Sequence, residues 1–201
     1  MQHRDGILFL PGEAGERALC ARLVAGESAA YRECYQQFAP KLMRILLRML
    51  RNQALAEEIL QETFVAAFRS ISRFRGDASV SGWFARIAVN RASNALRDEA
   101  RRGKNMSAIA DATAHAVEPR FEGRDLTRKI LAILDEMEPS KKLALVLQAE
   151  GYSVADIAAI TGEPRGTILA RLSRGRAELS LRAAAAGLVE TQRSQVLEDQ
   201  S

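Results

Sequence analysis

The chain has 201 residues, 47% of them hydrophobic but only 5% aromatic, and a formal net charge of +4. That length suits one large or two small domains, and the shortage of rings favours aliphatic helix packing over β-sandwich cores. No apolar run approaches a membrane span, the stretch 7–10 is too short for an export-signal core, and Cys20 and Cys34 show neither a CxxC nor a histidine at metal-ligand spacing. The expectation is an all-α, cytoplasmic protein with reduced thiols, no metal and no cofactor.

Residues 1–16 hold Gly6, Pro11, Gly12 and Gly15 and read as a leader. A short helix is expected over 17–25, ended by Gly26. A long helix follows over 28–51, where Tyr31, Tyr35, Phe38, Leu42, Ile45, Leu46 and Met49 form one apolar face and Pro40 predicts a kink. The next, 54–72, buries Leu55, Ile59, Phe64, Phe68 and Ile71. Its first half carries Glu57, Glu58, Gln61 and Glu62. Two readings apply to that group: carboxylates suit the positive end of a helix, or they form a docking face for a basic partner.

Residues 72–80, SRFRGDASV, lack a helical period and contain Gly76-Asp77, a loop signal. Phe74 stands between Arg73 and Arg75. An aromatic flanked by cations suits stacking on an unpaired base, and the same ring could instead anchor the loop to the core. A helix over 81–102 then buries Trp83, Phe84, Ile87, Ala88 and Leu96 and presents Arg86, Asn90, Arg91, Asn94, Arg97 and Arg101. Asn90 and Asn94 lie one turn apart, and an Asn amide can offer donor and acceptor together to a base edge. From Arg73 to Lys104, eight basic residues face three acidic ones, a local charge of +5.

Residues 103–123 have no clear period and read as a flexible linker. Helices resume over 124–137, with Leu126, Ile130, Ile133, Leu134 and Met137, and over 139–150. Ser153 is then a good N-cap for a short helix, and Thr161-Gly162-Glu163-Pro164 breaks it. The following helix buries Ile168, Leu172 and Leu179, and between Glu163 and Arg182 five arginines face two glutamates, a local +3. Two helices, a glycine turn and a basic second helix make the helix-turn-helix pattern, although an αα-hairpin with a solvated basic face has the same local signature. An alanine-rich run to Gly187 and a solvated tail close the chain.

Taken together, these stretches resemble the extracytoplasmic-function sigma factors of the bacterial sigma-70 family. QETFVAAFRSISRFRGDASVSGWFARIAVNRASNALR (61–97) is similar to the family's second conserved region. LDEMEPSKKLALVLQAEGYSVADIAAITGEPRGTILARLSRGRAEL (134–179) is similar to its fourth. The resemblance implies two small helical domains, 18–102 and 124–183, with a leader 1–17, a flexible linker 103–123 and a tail 184–201. It implies a non-enzymatic specificity subunit in which Glu57, Glu58, Gln61 and Glu62 dock on the β′ clamp helices of core RNA polymerase, the β flap being a further contact. It assigns Arg73, Phe74, Arg75, Asp77, Arg86, Asn90, Arg91 and Asn94 to the −10 promoter element, with a flipped base captured by the loop 72–80. Arg165, Thr167, Leu169, Ala170, Arg171, Ser173, Arg174 and Arg176 fall to the −35 element.

Leu169 and Ala170 depart from the polar residues common at that place in the family, so readout there is apolar or comes from neighbouring arginines. Ala66 stands where some members carry a basic residue. The resemblance also implies an anti-sigma factor, a kind of partner often membrane-tethered, and no small-molecule substrate. A different class, an autonomous helix-turn-helix regulator that binds a palindrome as a dimer, would not need the basic stretch 73–102. An enzyme reading finds no glycine-rich phosphate loop, Cys/His cluster or catalytic histidine.

Overall fold

Gly26, at φ +77°, takes a left-handed conformation that costs a glycine nothing, and it ends the first helix of the computed structural model. The structure describes residues 13–74, 79–105 and 124–188. The leader up to residue 12, the loop centre 75–78 with Arg75 and Asp77, most of the expected linker (106–123) and the tail from 189 lie outside the described residues. The helices are α1 Glu13–Val24, α2 Ser28–Leu50, α3 Gln53–Ser70, α4 Val80–Asn105, α5 Arg124–Asp135, α6 Pro139–Ala149, α7 Val154–Thr161 and α8 Arg165–Ala185, with a 3-10 turn at Ile71–Arg73. No strand occurs among the described residues. The all-α expectation holds.

Local chemistry accounts for the boundaries. Asn52 caps α3 by accepting from the Leu55 amide at 3.1 Å. Glu138 caps α6, with Pro139 in the first turn where its missing N–H costs nothing. Ser153 and Asp156 form a reciprocal capping box on α7, and Gly162 at φ +74° closes that helix. The first helix starts four residues before the expected position, because Gly15 costs a helix only about 1 kcal/mol and does not break it. α4 likewise runs three residues into the expected linker.

The cores correct part of the expected burial. Tyr35, Leu96 and Leu126 were expected inside and are exposed, Tyr35 by 49%. Small residues take the interior instead: Ala30 and Cys34 of α2, Ala56 and Ala67 of α3, and Ala85 and Ala92 of α4 are fully buried, beside the expected Ala88. Alanine at these positions lets the helices approach closely, which turns the buried stripe away from the bulkiest neighbours. Where α2, α3 and α4 meet, Phe38, Phe64, Phe68 and Phe84 form a ring cluster, with Phe84 5.5 Å from Phe38 and 5.2 Å from Phe64. Such tilted pairs add to the hydrophobic gain of burial.

α5 to α8 form the second helical group. Buried Leu134, Met137, Val146, Leu147, Ile157, Ile160, Ile168 and Leu172 fill it. Gly175 brings α8 close to α6: a Cβ there would stand 3.2 Å from Leu145 Cδ1. The two groups meet along a seam in which α4 packs on α7 and α2 touches α6.

Candidate nucleic-acid interface

Positions 57, 58, 61 and 62 recur within two turns of α3, so helical geometry alone places them on one side. Glu57, Glu58, Gln61 and Glu62 are all exposed. Ile59, Leu60, Thr63 and Phe64 bury the opposite side, with the Thr63 hydroxyl donating to the Ile59 carbonyl at 2.7 Å. The acidic row is therefore a solvent-exposed face of the helix, in which Glu62 also pairs with Arg91 of α4. Gln53 donates to Glu57 Oε1 at 2.8 Å.

Past α3 the chain turns through Ile71–Arg73. Arg73 is exposed, and Phe74 is half-buried with its ring 5.4 Å from Trp83 at an interplanar angle of 53°. Trp83 in turn meets Phe84 edge-on at 5.4 Å. In this structure Phe74 packs as an anchor between the loop and α4. Arg75 and Asp77, assigned with it, lie outside the described residues.

On α4, Arg86, Asn90 and Asn94 follow one another at four-residue steps, and all three are exposed. Arg91 is half-buried and ion-paired to Glu62 of α3. The amides of Asn90 and Asn94 thus share a rigid cationic face, the arrangement that base-edge recognition requires.

α8 exposes Arg165, Leu169, Ala170, Ser173, Arg174 and Arg176, while Thr167 and Arg171 are half-buried. Leu169, 55% exposed, presents an apolar side chain on the outer face of α8. Arg171 Nη1 lies 2.7 Å from Glu163 across the turn. Arg176 donates to Gln148 at 3.4 Å, and Arg182 pairs with Glu136 and Glu178. The Glu178 carboxyl is held below its usual range first by its hydrogen bond from Lys141. Burial of Ile168 and Leu172 beneath, with Gly175 against Leu145, fixes the exposed face of α8 outward.

The structure also brings together two sets of residues that their positions in sequence keep apart. Asn90, Ser93 and Arg97 of α4 line one cleft with Glu163 of the turn before α8 and Arg171 of α8. Beside it runs a polar seam that sequence reasoning missed. Glu150 accepts two hydrogen bonds from Arg44 Nε and one from Nη2, at 2.7 to 3.1 Å, and Tyr152 reaches Ser81. These partners are 106 and 71 residues apart, and neither pairing carries a local signal.

Comparison with known proteins decides the family. The Sigma-70 region 2 pattern matches residues 34–102, and the pattern of Sigma-70, region 4 matches residues 127–179. The RNA polymerase sigma factor CarQ of Myxococcus xanthus is 33% identical over 155 residues, covering 77% of this chain and 89% of the relative. The chain belongs to the extracytoplasmic-function group of the sigma-70 family. The extracytoplasmic-function sigma-E factor of Haemophilus influenzae, 31% identical over 173 residues, extends over 80% of this sigma-70 member and 91% of the relative. Two solved structures share the sigma fold. The sigma factor RpoE of Bartonella quintana, in complex with the anti-sigma factor NepR, has a TM-score of 0.66 at 23% identity over 74% of this chain and 93% of that one. CnrH, in complex with the cytosolic domain of CnrY, has a TM-score of 0.64 at 21% identity over 85% of this chain and 97% of that one. Region 2 takes in α4 up to residue 102, Asn90 included, and region 4 takes in α7 and α8 up to residue 179.

Proposed function

We propose that this sigma factor docks its α3 acidic row on the β′ clamp helices of core RNA polymerase and reads a −10 element with α4 and a −35 element with α8. The observation that carries the reading is the adjacency of two rows on neighbouring rigid helices. Glu57, Glu58, Gln61 and Glu62 face outward on α3, and Arg86, Asn90 and Asn94 face outward on α4. The catalysis of RNA synthesis belongs to the polymerase, and the chain contributes specificity.

The physical division of labour is straightforward. Arginines neutralise phosphates and supply affinity that carries little sequence information and falls with salt. Asn90, Asn94 and the exposed face of α8 discriminate bases, each good bidentate contact being worth about 1–3 kcal/mol. Melting at the −10 element is driven by capture of an extruded base at the loop 72–80, which carries Phe74 between Arg73 and Arg75 in sequence. Stacking there offsets part of the few kcal/mol that unstacking costs. The two domains bind their elements together and so raise one another's effective concentration.

An anti-sigma factor, tethered to the membrane or not, holds the protein inactive in the cytoplasm by covering polymerase-binding surfaces. Support comes from a sigma factor of similar fold that was solved with an anti-sigma factor. Among the described residues, no helix is long and apolar enough to cross a membrane.

The test is co-purification with bacterial core polymerase followed by run-off transcription on genomic fragments. Discrete transcripts that require the chain are expected. A protein that ignores polymerase and shifts duplex DNA on its own would replace this reading with an autonomous regulator.

A further inference from the structure

The first turns of α8, from Arg165 to Ser173, set what that helix offers to a base edge. In a helix-turn-helix it is the N-terminal residues of the second helix that reach the bases. Ile168 and Leu172 are 0% and 1% exposed and belong to the core, while Thr167 and Arg171 are half-buried. Arg171 is also engaged, with Nη1 2.7 Å from Glu163 of the preceding turn. The exposed residues between Arg165 and Ser173 are Gly166, Leu169 and Ala170. Of these, only Leu169 carries a side chain longer than a methyl group.

Arg165, Leu169 and Ser173 follow one another at four-residue steps and share one face, with Leu169 about 6 Å along the axis from each. Arg174, exposed beside Ser173, donates from Nε to the Ala170 carbonyl at 3.3 Å. Two cations suited to phosphates thus stand before and after one apolar side chain. Major-groove chemistry then limits what that side chain can select. Leucine neither donates nor accepts a hydrogen bond, and the 5-methyl of thymine is the apolar group that base pairs present there. Packed on a purine it would cover the N7 acceptor, and on cytosine the N4 donor, and leave either without a partner.

We infer that Leu169 is a specificity residue of this chain: it selects thymine at one position of the upstream promoter element by packing on the 5-methyl group. The assignment rests on the −35 role proposed for α8. Arg165 and Arg174 then supply phosphate affinity on either side, and Arg171, through Glu163, holds the turn that aims the helix.

The test is binding of the reconstituted holoenzyme to the promoter recovered by run-off transcription, with deoxyuridine replacing thymidine at one upstream position at a time. Deoxyuridine keeps the base pairing and every hydrogen-bonding group, and lacks only the 5-methyl. At one position the wild type should lose about fourfold in affinity, the worth of burying one methyl-sized group. Leu169→Ala should bind the thymine and deoxyuridine duplexes equally at that position, and Leu169→Met, which keeps an apolar reach, should retain the difference. Circular dichroism establishes that both variants are folded, as expected for an exposed site. An upstream element with no methyl-sensitive thymine overturns the inference. So does a deoxyuridine loss of the same size in Leu169→Ala. Failure of the underlying reading would appear separately: a scrambled upstream element bound as tightly as the native one would overturn the −35 role of α8, and the role of Leu169 with it.

Discussion

Glu62 of α3 is ion-paired to Arg91 of α4, so a carboxylate of the proposed polymerase-docking row touches a cation of the proposed −10 surface. Both side chains are more than a third exposed, and an exposed pair contributes at most about 1 kcal/mol to stability. The pair links the two proposed rows directly, one on α3 and the other on α4. Replacing Glu57, Glu58 and Glu62 together by Ala should lower core-polymerase association about tenfold at low salt, with little change in melting temperature. A biosensor titration against core enzyme measures it. Undiminished association would mean that the acidic row only balances the helix dipole.

Asn90 is exposed, so its truncation should not unfold α4. Asn90→Ala is expected to lower promoter-dependent transcription by about tenfold, within the range of one lost bidentate base contact, and to leave core binding intact. Equal losses of both would make Asn90 a structural residue.

Phe74 serves the fold through Trp83, and its proposed second role is stacking on an extruded base. Phe74→Ala separates the two. Base stacking is worth about 1–3 kcal/mol, so transcription from a duplex promoter should fall well below that from the same promoter opened beforehand by mismatches at the −10 element. Equal loss on the two templates would leave only the anchoring role.

The Cys34 thiol is pushed well above its ordinary range, first by burial and then by Cys20 and Glu33. Its folded pKa therefore exceeds its unfolded one. The stability it supplies is complete below the unfolded thiol pKa of about 8.5 and is lost as pH rises through the folded pKa. Above about pH 9, urea unfolding of the wild type should lose up to about 1.4 kcal/mol per pH unit more than Cys34→Ala does. Parallel pH profiles would show that Cys34 does not remain protonated in the fold.

Much of this was legible because it is local. Ser153, Gly162 and Pro164 mark the helix-turn-helix through caps and turns that depend on a few neighbours. The exposed row 57–62 follows from helical spacing. Burial was misread where alanine carried it: Ala56, Ala67 and Ala92 have little hydrophobic weight individually, yet set how closely α2, α3 and α4 pack, and so leave Tyr35 and Leu96 outside. The seam of Arg44, Glu150, Tyr152 and Ser81 was invisible for a different reason. Long-range polar pairs follow from the tertiary fold, and a charge on an amphipathic helix looks the same in sequence whether it meets water or a partner.

The most direct measurement is a footprint of the reconstituted holoenzyme on its promoter, with permanganate to reveal unpaired thymines. The account predicts two protected blocks and melting confined to the downstream one. With Arg171→Ala and Arg174→Ala combined, the upstream block should fade while melting, where the complex still forms, stays in place. Protection of a single continuous palindrome, or an upstream block indifferent to both arginines, would contradict the assignment of two elements to two helical domains.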